Sequence, residues 1–183
     1  MYNNSLLILI SEPIPILAHD WGLRLSSVKT RYKIGKTLEL IKRILLPTDL
    51  SPVSLGALDY AVDLAQPDQA EIVIIFVIEP IQYAFPPLLI KQQQKEAAEK
   101  LERVAAKVNK RYPNCRTEVH FGVAYQVIVG LARKIKADMI VMSTHGRSAL
   151  HDLLIGSVAE RVVRNSTCPV LMVPPLKRTK RDG

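Results

Sequence analysis

The chain has 183 residues, 48% hydrophobic and 23% charged, which supports one sizeable core plus an extension and argues against wholesale disorder. Its longest apolar runs, Ile72–Ile78 and Ile140–Met142, fall far below the ~18 residues of a membrane-spanning helix, so a soluble protein with no membrane partner is expected. The net charge of +8 hints at nucleic acid, but residues 1–40 hold five basic and three acidic groups and residues 177–183 four and one, leaving 16 against 13 for the body; the excess at the ends reads as solvated tails, not a specific nucleic-acid surface.

Residues 1–38 show no sustained period. Pro13, Pro15 and Gly22 interrupt any element that starts there, so residues 1–40 read as a flexible extension, in which Trp21 is the single tryptophan. The apolar patch Leu6–Ile10 has no basic stretch before it, and Glu12, Pro13 and Pro15 follow it where a cleavage site would need small residues, so no signal peptide is expected.

The pattern becomes regular near Lys42. Ile44, Leu45 and Leu46 form a short apolar strand ended by Pro47, with Thr48 and Asp49 after it. Ser51-Pro52 reads as an N-cap followed by a first-position proline. Leu55, Leu58, Val62 and Ala65 then recur at helical steps until Gln66-Pro67-Asp68 stops them. Glu71–Ile78 is continuous and β-branched, as a strand buried on both faces should be. A proline-bearing loop leads to a long charged helix, roughly 88–111, with Ala97, Leu101, Val104, Val108 and Tyr112 on one face. Residues 116–121 alternate, with Thr117, Val119 and Phe121 predicted inward, as in an edge strand with one wet face. Gly122 turns the chain into a helix marked by Val127, Ile128, Leu131 and Ile135; Gly130 within it predicts close packing, since glycine there costs about 1 kcal/mol against alanine. Residues 138–142 make a fourth strand, residues 158–164 a helix and residues 169–173 a fifth strand before Pro174-Pro175. The order βαβαβαβαβ predicts a parallel sheet with helices on both faces, over a domain of residues 41–174 followed by a basic tail, 175–183.

Ligands of open parallel sheets sit beyond the carboxyl ends of strands, and two such ends are chemically marked. Asp49 can accept hydrogen bonds from a ribose, a base amine or a hydrated metal; it is equally suited to a helix start, where the macrodipole favours an acid. Ser143-Thr144-His145-Gly146-Arg147, nine residues after Gly146, and then Gly156-Ser157-Val158 opening a helix can form a split phosphate cradle, with glycines admitting close backbone approach and a helix N-terminus supplying unpaired donors. Ser157-Val158-Ala159-Glu160 is also a capping box, which would commit the Ser157 hydroxyl to its own helix. His145 has no carboxylate or serine beside it in sequence and reads as a loop-shaping residue. Arg147 reads as an exposed loop-tip arginine, with neutralisation of phosphate charge as its functional alternative. Cys115 and Cys168 are far apart, lack metal-ligand spacing and read as small hydrophobes, so nothing demands an oxidising compartment and the expected location is cytoplasmic.

Pro47-Thr48-Asp49, Thr144-His145-Gly146-Arg147 and Gly156-Ser157-Val158-Ala159-Glu160, with the block from Asp138 to Val173, resemble the universal stress protein family over about Lys42–Val173. The resemblance implies a flavodoxin-like, Rossmann-like α/β sandwich whose five-stranded parallel sheet has the order 3-2-1-4-5. It also implies, for a subset of members, a site for ATP or AMP, with or without Mg2+ on the phosphates. Carried onto this chain, Gly146, Gly156 and Ser157 lie near the phosphates, with Thr144, Arg147 and Val158 in the same stretches; Pro47, Thr48 and Asp49 lie near the sugar and base, and Val77 lines adenine. Two positions depart from the family pattern: Ser143 stands where the nucleotide-binding subset has its first glycine, and Ala124 stands where a proline is common. No G-x-x-x-x-G-K-[ST] motif, second acid after Asp49 or lysine after the fifth strand is present, so binding without efficient turnover is expected, slow hydrolysis staying open. The resemblance further implies a homodimer through Pro169–Val173, an apolar edge, and a stress-related regulatory role with a protein partner. The alternatives are a family member that binds no nucleotide and works through protein contacts, and a flavin carrier or nucleotide hydrolase on a similar fold.

Overall fold

The computed structural model describes residues 7–9, 40–79, 87–146 and 155–175. In chain order the elements are β1 (Leu7–Leu9), β2 (Arg43–Pro47), α1 (Pro52–Leu55), α2 (Ala57–Ala65), β3 (Glu71–Ile78), α3 (Pro87–Asn109), β4 (Cys115–Phe121), α4 (Ala124–Lys134), β5 (Met139–Ser143), α5 (Ser157–Asn165) and β6 (Val170–Val173). The sheet order is β1-β6-β5-β2-β3-β4, all pairs parallel. Leaving β1 aside, this is the expected 3-2-1-4-5 sheet. The addition is at the far edge: Leu7, Ile8 and Leu9 pair with Val170, Leu171 and Met172. Three residues of the segment expected to be a flexible extension are therefore a strand, and they lie along the edge that the resemblance assigns to a second copy. Trp21 lies outside the described residues.

Strand alternation sorts the core into two layers. Ile44, Leu46, Ile72, Ile74, Val141 and Leu171 face α2 and α3, meeting Ala61, Ala65, Leu101 and Val108. Leu45, Val73, Ile75, Ile140, Val170 and Met172 face α4 and α5, meeting Ile128, Leu131, Ala132, Ala159 and Val162. Both faces of the central strands are buried, which accounts for the unbroken apolar run of β3.

Ser51 caps α1 as expected, accepting the Ser54 N–H at 3.1 Å, with Pro52 in the first turn. At the amino ends of the strands, Asp138 Oδ2 accepts the Lys42 and Arg43 amides at 2.8 Å each, tying the start of β2 to that of β5. Glu71 bridges Arg43 (2.7 Å) and Arg116 (2.6 Å) across β2, β3 and β4. Burial raises the Glu71 carboxyl, but the hydrogen bonds from Arg43 and Arg116 outweigh it, leaving its pKa below the ordinary value.

Two expectations are corrected. Phe121, the last residue of β4, is 39% exposed and belongs to neither core layer, whereas Val119 on the same face packs against the layer of α2 and α3. Gly130 faces solvent, and a Cβ there would meet nothing within 4 Å, so close packing is not its reason for being glycine. The Ala124 departure has a structural use: its N–H donates to Glu79 Oε1 at 2.7 Å, closing the start of α4 with a bond that proline could not make.

Candidate functional site

The strand order reverses between β2 and β5, which are sheet neighbours although the chain leaves β2 for β3 on the other side. The crevice beyond their carboxyl ends is where this architecture takes ligands. Both marked segments meet there.

After β2 the chain turns sharply. Leu50 has φ 62, a left-handed conformation costly for a branched side chain and held by its surroundings. Thr48 Oγ1 accepts the Leu50 N–H at 3.0 Å and lies 2.8 Å from the Ser54 hydroxyl, while Asp49 Oδ1 accepts the Ser51 N–H at 2.9 Å. Leu50 itself packs against the core layer of α2 and α3. This turn carries Asp49 to the β5 side. A Cβ on Gly146 would lie 2.6 Å from Asp49 Oδ2, closer than any side chain tolerates, so the two loops approach through a glycine.

After β5, Thr144 N–H donates to Val173 O at 2.9 Å and Thr144 O accepts the Gly156 N–H at 2.8 Å, which closes the loop at its base. A Cβ on Gly156 would stand 3.3 Å from that same Thr144 oxygen and 3.9 Å from the His145 Cα. Gly156 has extended backbone at φ −61 and ψ 146, so its smallness matters here for close approach. Ser143 Oγ donates to His145 O, and Thr144 Oγ1 lies 2.7 Å from His145 Nδ1. The hydroxyls of Thr48, Ser143 and Thr144 thus serve the two loops. His145 is 8% exposed, in keeping with a loop-shaping residue, and its Nε2 is buried without a hydrogen-bond partner among the described residues.

The capping box does not form. Gly156 is the N-cap of α5, no side chain caps it, and Ser157 occupies the first helical position with an exposed side chain. Glu160 instead pairs with Arg164 one turn on, at 2.8 Å. Among the described residues no carbonyl accepts the Ser157 or Val158 amide, and the helix dipole adds partial positive charge at the same place.

Pro47 and Val77 continue the alternation of Leu45, Val73 and Ile75 at the carboxyl ends of β2 and β3, on the α4 and α5 face that also carries Gly156 and Ser157. The structure therefore gathers Pro47, Asp49, Val77, Gly146, Gly156, Ser157 and Val158 at one end of the sheet. Arg147 lies outside the described residues. The left-handed turn at Leu50 and the Thr48–Ser54 hydroxyl pair escape sequence reasoning; the only trace is Ser54 three residues after the N-cap serine.

Burial pushes the Cys115 thiol up to about 11, with Glu102 adding to it, and burial raises the Cys168 thiol as well, so both stay protonated at neutral pH. Among the described residues no group of three or more His, Cys, Asp or Glu could hold a metal, and no helix is long and apolar enough to cross a membrane.

Comparison with known proteins agrees with this architecture. The profile described as the universal stress protein family matches residues 40–174. A universal stress protein of Methanocaldococcus jannaschii is 38% identical over 148 residues, covering 76% of this chain and 85% of its own. The solved universal stress protein of Lactobacillus plantarum superimposes with a TM-score of 0.66 at 26% identity, covering 73% of this chain and 98% of that one. A universal stress protein solved in complex with cAMP shares the fold, with a TM-score of 0.58 at 24% identity, covering 75% of this chain and 99% of that one. With its 3-2-1-4-5 sheet and a family match spanning that whole sheet, this chain belongs to the universal stress protein family.

Proposed function

We propose that this chain is an adenine-nucleotide-binding regulatory protein of the cytoplasm that takes ATP or AMP at the crevice between β2 and β5. The observation that carries the reading is the uncapped start of α5, where Ser157 has an exposed side chain and no capping bond beside Gly156. The amides of Ser157 and Val158 and the Ser157 hydroxyl face an anion, and the approach of the Gly146 backbone to Asp49 brings the sugar-side and phosphate-side loops together. Asp49 accepts from the ribose or base, Pro47 and Val77 supply apolar surface for adenine, and Arg147 adds charge to the phosphate end. Mg2+, when it accompanies ATP, is held chiefly by the phosphates.

This arrangement supports binding more than turnover. Among the described residues nothing in it corresponds to a phosphate-loop lysine or a paired metal-binding acid, and His145 Nδ1 is engaged by Thr144. Binding at the base of the segment between Gly146 and Gly156 provides a route from nucleotide occupancy to a surface read by a regulatory protein. A universal stress protein of the same fold, 24% identical to this chain, has itself been solved in complex with cAMP.

A second reading, a family member that works only through protein contacts, is favoured by one observation. The Ser143 hydroxyl stands at the position of the nucleotide-binding subset's first glycine and is bonded to His145 O, so that hydroxyl is engaged within its own loop without a ligand. Nucleotide retained through purification, followed by ATP and AMP titration, separates the two. Saturable binding of one nucleotide per chain supports the first reading, and no binding at millimolar ATP supports the second.

A further inference from the structure

Two helices start at the end of the sheet where the crevice lies. α4 begins at Ala124, just after β4 ends at Phe121, and α5 begins at Ser157, whose neighbour Gly156 is tied to Thr144 at the end of β5. Across this pair the guanidinium carbon of Arg161 lies 5.3 Å from the centre of the Tyr125 ring. Tyr125 is the second residue of α4, and side chains lean toward the amino end of their helix. The ring, and the guanidinium over it, therefore stand at the level of the crevice. Arg161 also lies four residues after Ser157, on the same side of α5, and leans back toward it. Both side chains are exposed, while Ala159 and Val162 form the buried face. Arg164 on the same helix is paired with Glu160 at 2.8 Å, but among the described residues Arg161 pairs with no carboxylate. A ring face holds the cation without using any of its N–H donors, so Arg161 is oriented but uncommitted.

We propose that Arg161, positioned by the Tyr125 ring, meets the outer phosphates of a bound nucleotide and makes the site favour ATP over AMP. This inference rests on the nucleotide reading above. Pro47, Asp49 and Val77 serve the base and sugar, which ATP, AMP and adenosine share, so they cannot tell these ligands apart. The amides and hydroxyl at the start of α5 take one phosphate, as a helix N-terminus does. Each further phosphate adds negative charge and acceptor oxygens, and a guanidinium can bind two such oxygens at once.

Calorimetric titrations of the full chain, Arg161→Gln and Arg161→Lys with ATP, AMP and adenosine test the proposal. The parent should bind ATP more tightly than AMP. In Arg161→Gln the ATP dissociation constant should rise about tenfold or more, that of AMP by no more than about threefold, and that of adenosine not at all. Arg161→Lys keeps the charge but not the paired donors, so its ATP affinity should fall between those of the parent and Arg161→Gln. Without nucleotide, both variants should melt close to the parent, because the side chain is exposed. An equal loss for all three ligands would mark Arg161 as a clamp between α4 and α5 and overturn the proposal. A parent that binds AMP as tightly as ATP, or an Arg161→Gln variant that keeps the parent's ratio of ATP to AMP affinity, overturns it too. Those outcomes leave nucleotide binding itself intact, whereas a parent that binds none of the three ligands overturns the nucleotide reading and this inference with it.

Discussion

Replacing Ser157 by alanine tests the nucleotide site with little structural side effect. The side chain is exposed at the first position of α5, and the N-cap place is held by Gly156 without a side-chain bond. Without nucleotide, the variant should match the parent within about 0.5 kcal/mol, as surface substitutions usually do. With nucleotide it loses one hydroxyl donor to a charged phosphate, a bond on the order of 1.5–3 kcal/mol, so the ATP dissociation constant should rise about 10- to 150-fold. Thermal unfolding reads the same difference. At an ATP concentration about 100 times the parent's dissociation constant, the parent gains about 2.7 kcal/mol, whereas a variant weakened about 30-fold gains only about 0.9. Calorimetric titration and melts with and without ATP would be run on both proteins. An unchanged dissociation constant would refute the assignment of Ser157 to phosphate. A nucleotide-free protein that melts several degrees lower would show instead that the hydroxyl caps the helix.

Gly146→Ala places a methyl group 2.6 Å from the present position of Asp49 Oδ2, so the carboxylate must move; ATP affinity should fall at least about tenfold in a protein whose circular dichroism is unchanged, and parental affinity would remove Asp49 from the site. Gly130→Ala should stabilise the protein by about 1 kcal/mol, raising its melting temperature by about 3 °C, because the position is exposed, has no left-handed backbone and meets nothing. Asp138→Ala strips the partner from two backbone amides at the start of β2 and should cost about 2 kcal/mol in urea unfolding, while ATP binding stays as in the parent. Glu71 has a lowered pKa in the folded state, so its contribution is present above its unfolded pKa of about 4.3 and is lost as pH falls through the folded value. Glu71→Gln should therefore lower stability at pH 7 and flatten its decline below about pH 5, and parallel pH profiles for the two proteins would contradict the Arg43–Glu71–Arg116 account.

The elements that sequence reading captures are those fixed by local chemistry. Glu71–Ile78 reads as a doubly buried strand because its β-branched run admits few alternatives, and Ser51-Pro52 starts a helix through a bond three residues long. The reverse case is β1. Nothing periodic marks Leu7–Leu9, and their pairing depends on Val170–Met172 more than 160 residues away. Gly130 misleads because the usual cost of a helical glycine suggests a packing reason, and only the three-dimensional surroundings show empty space.

At the site, the spacing of Gly146, Gly156 and Ser157 is visible in sequence. Whether Ser157 or Gly156 caps the helix is not. Ser157 heads a capping box and Gly156 is itself an acceptable N-cap residue, so a one-residue shift in helix start decides between a committed hydroxyl and an available one. The approach of Gly146 to Asp49 depends equally on tertiary structure, because it joins loops 97 residues apart through the left-handed turn at Leu50.

The central claim is that the crevice between β2 and β5 holds an adenine nucleotide. Calorimetric titration of the full chain with ATP and AMP tests it most directly. The account predicts saturable binding of one nucleotide per chain, strongly weakened in Ser157→Ala. Heats indistinguishable from dilution up to millimolar ATP, from a folded protein stripped of retained nucleotide, would contradict it.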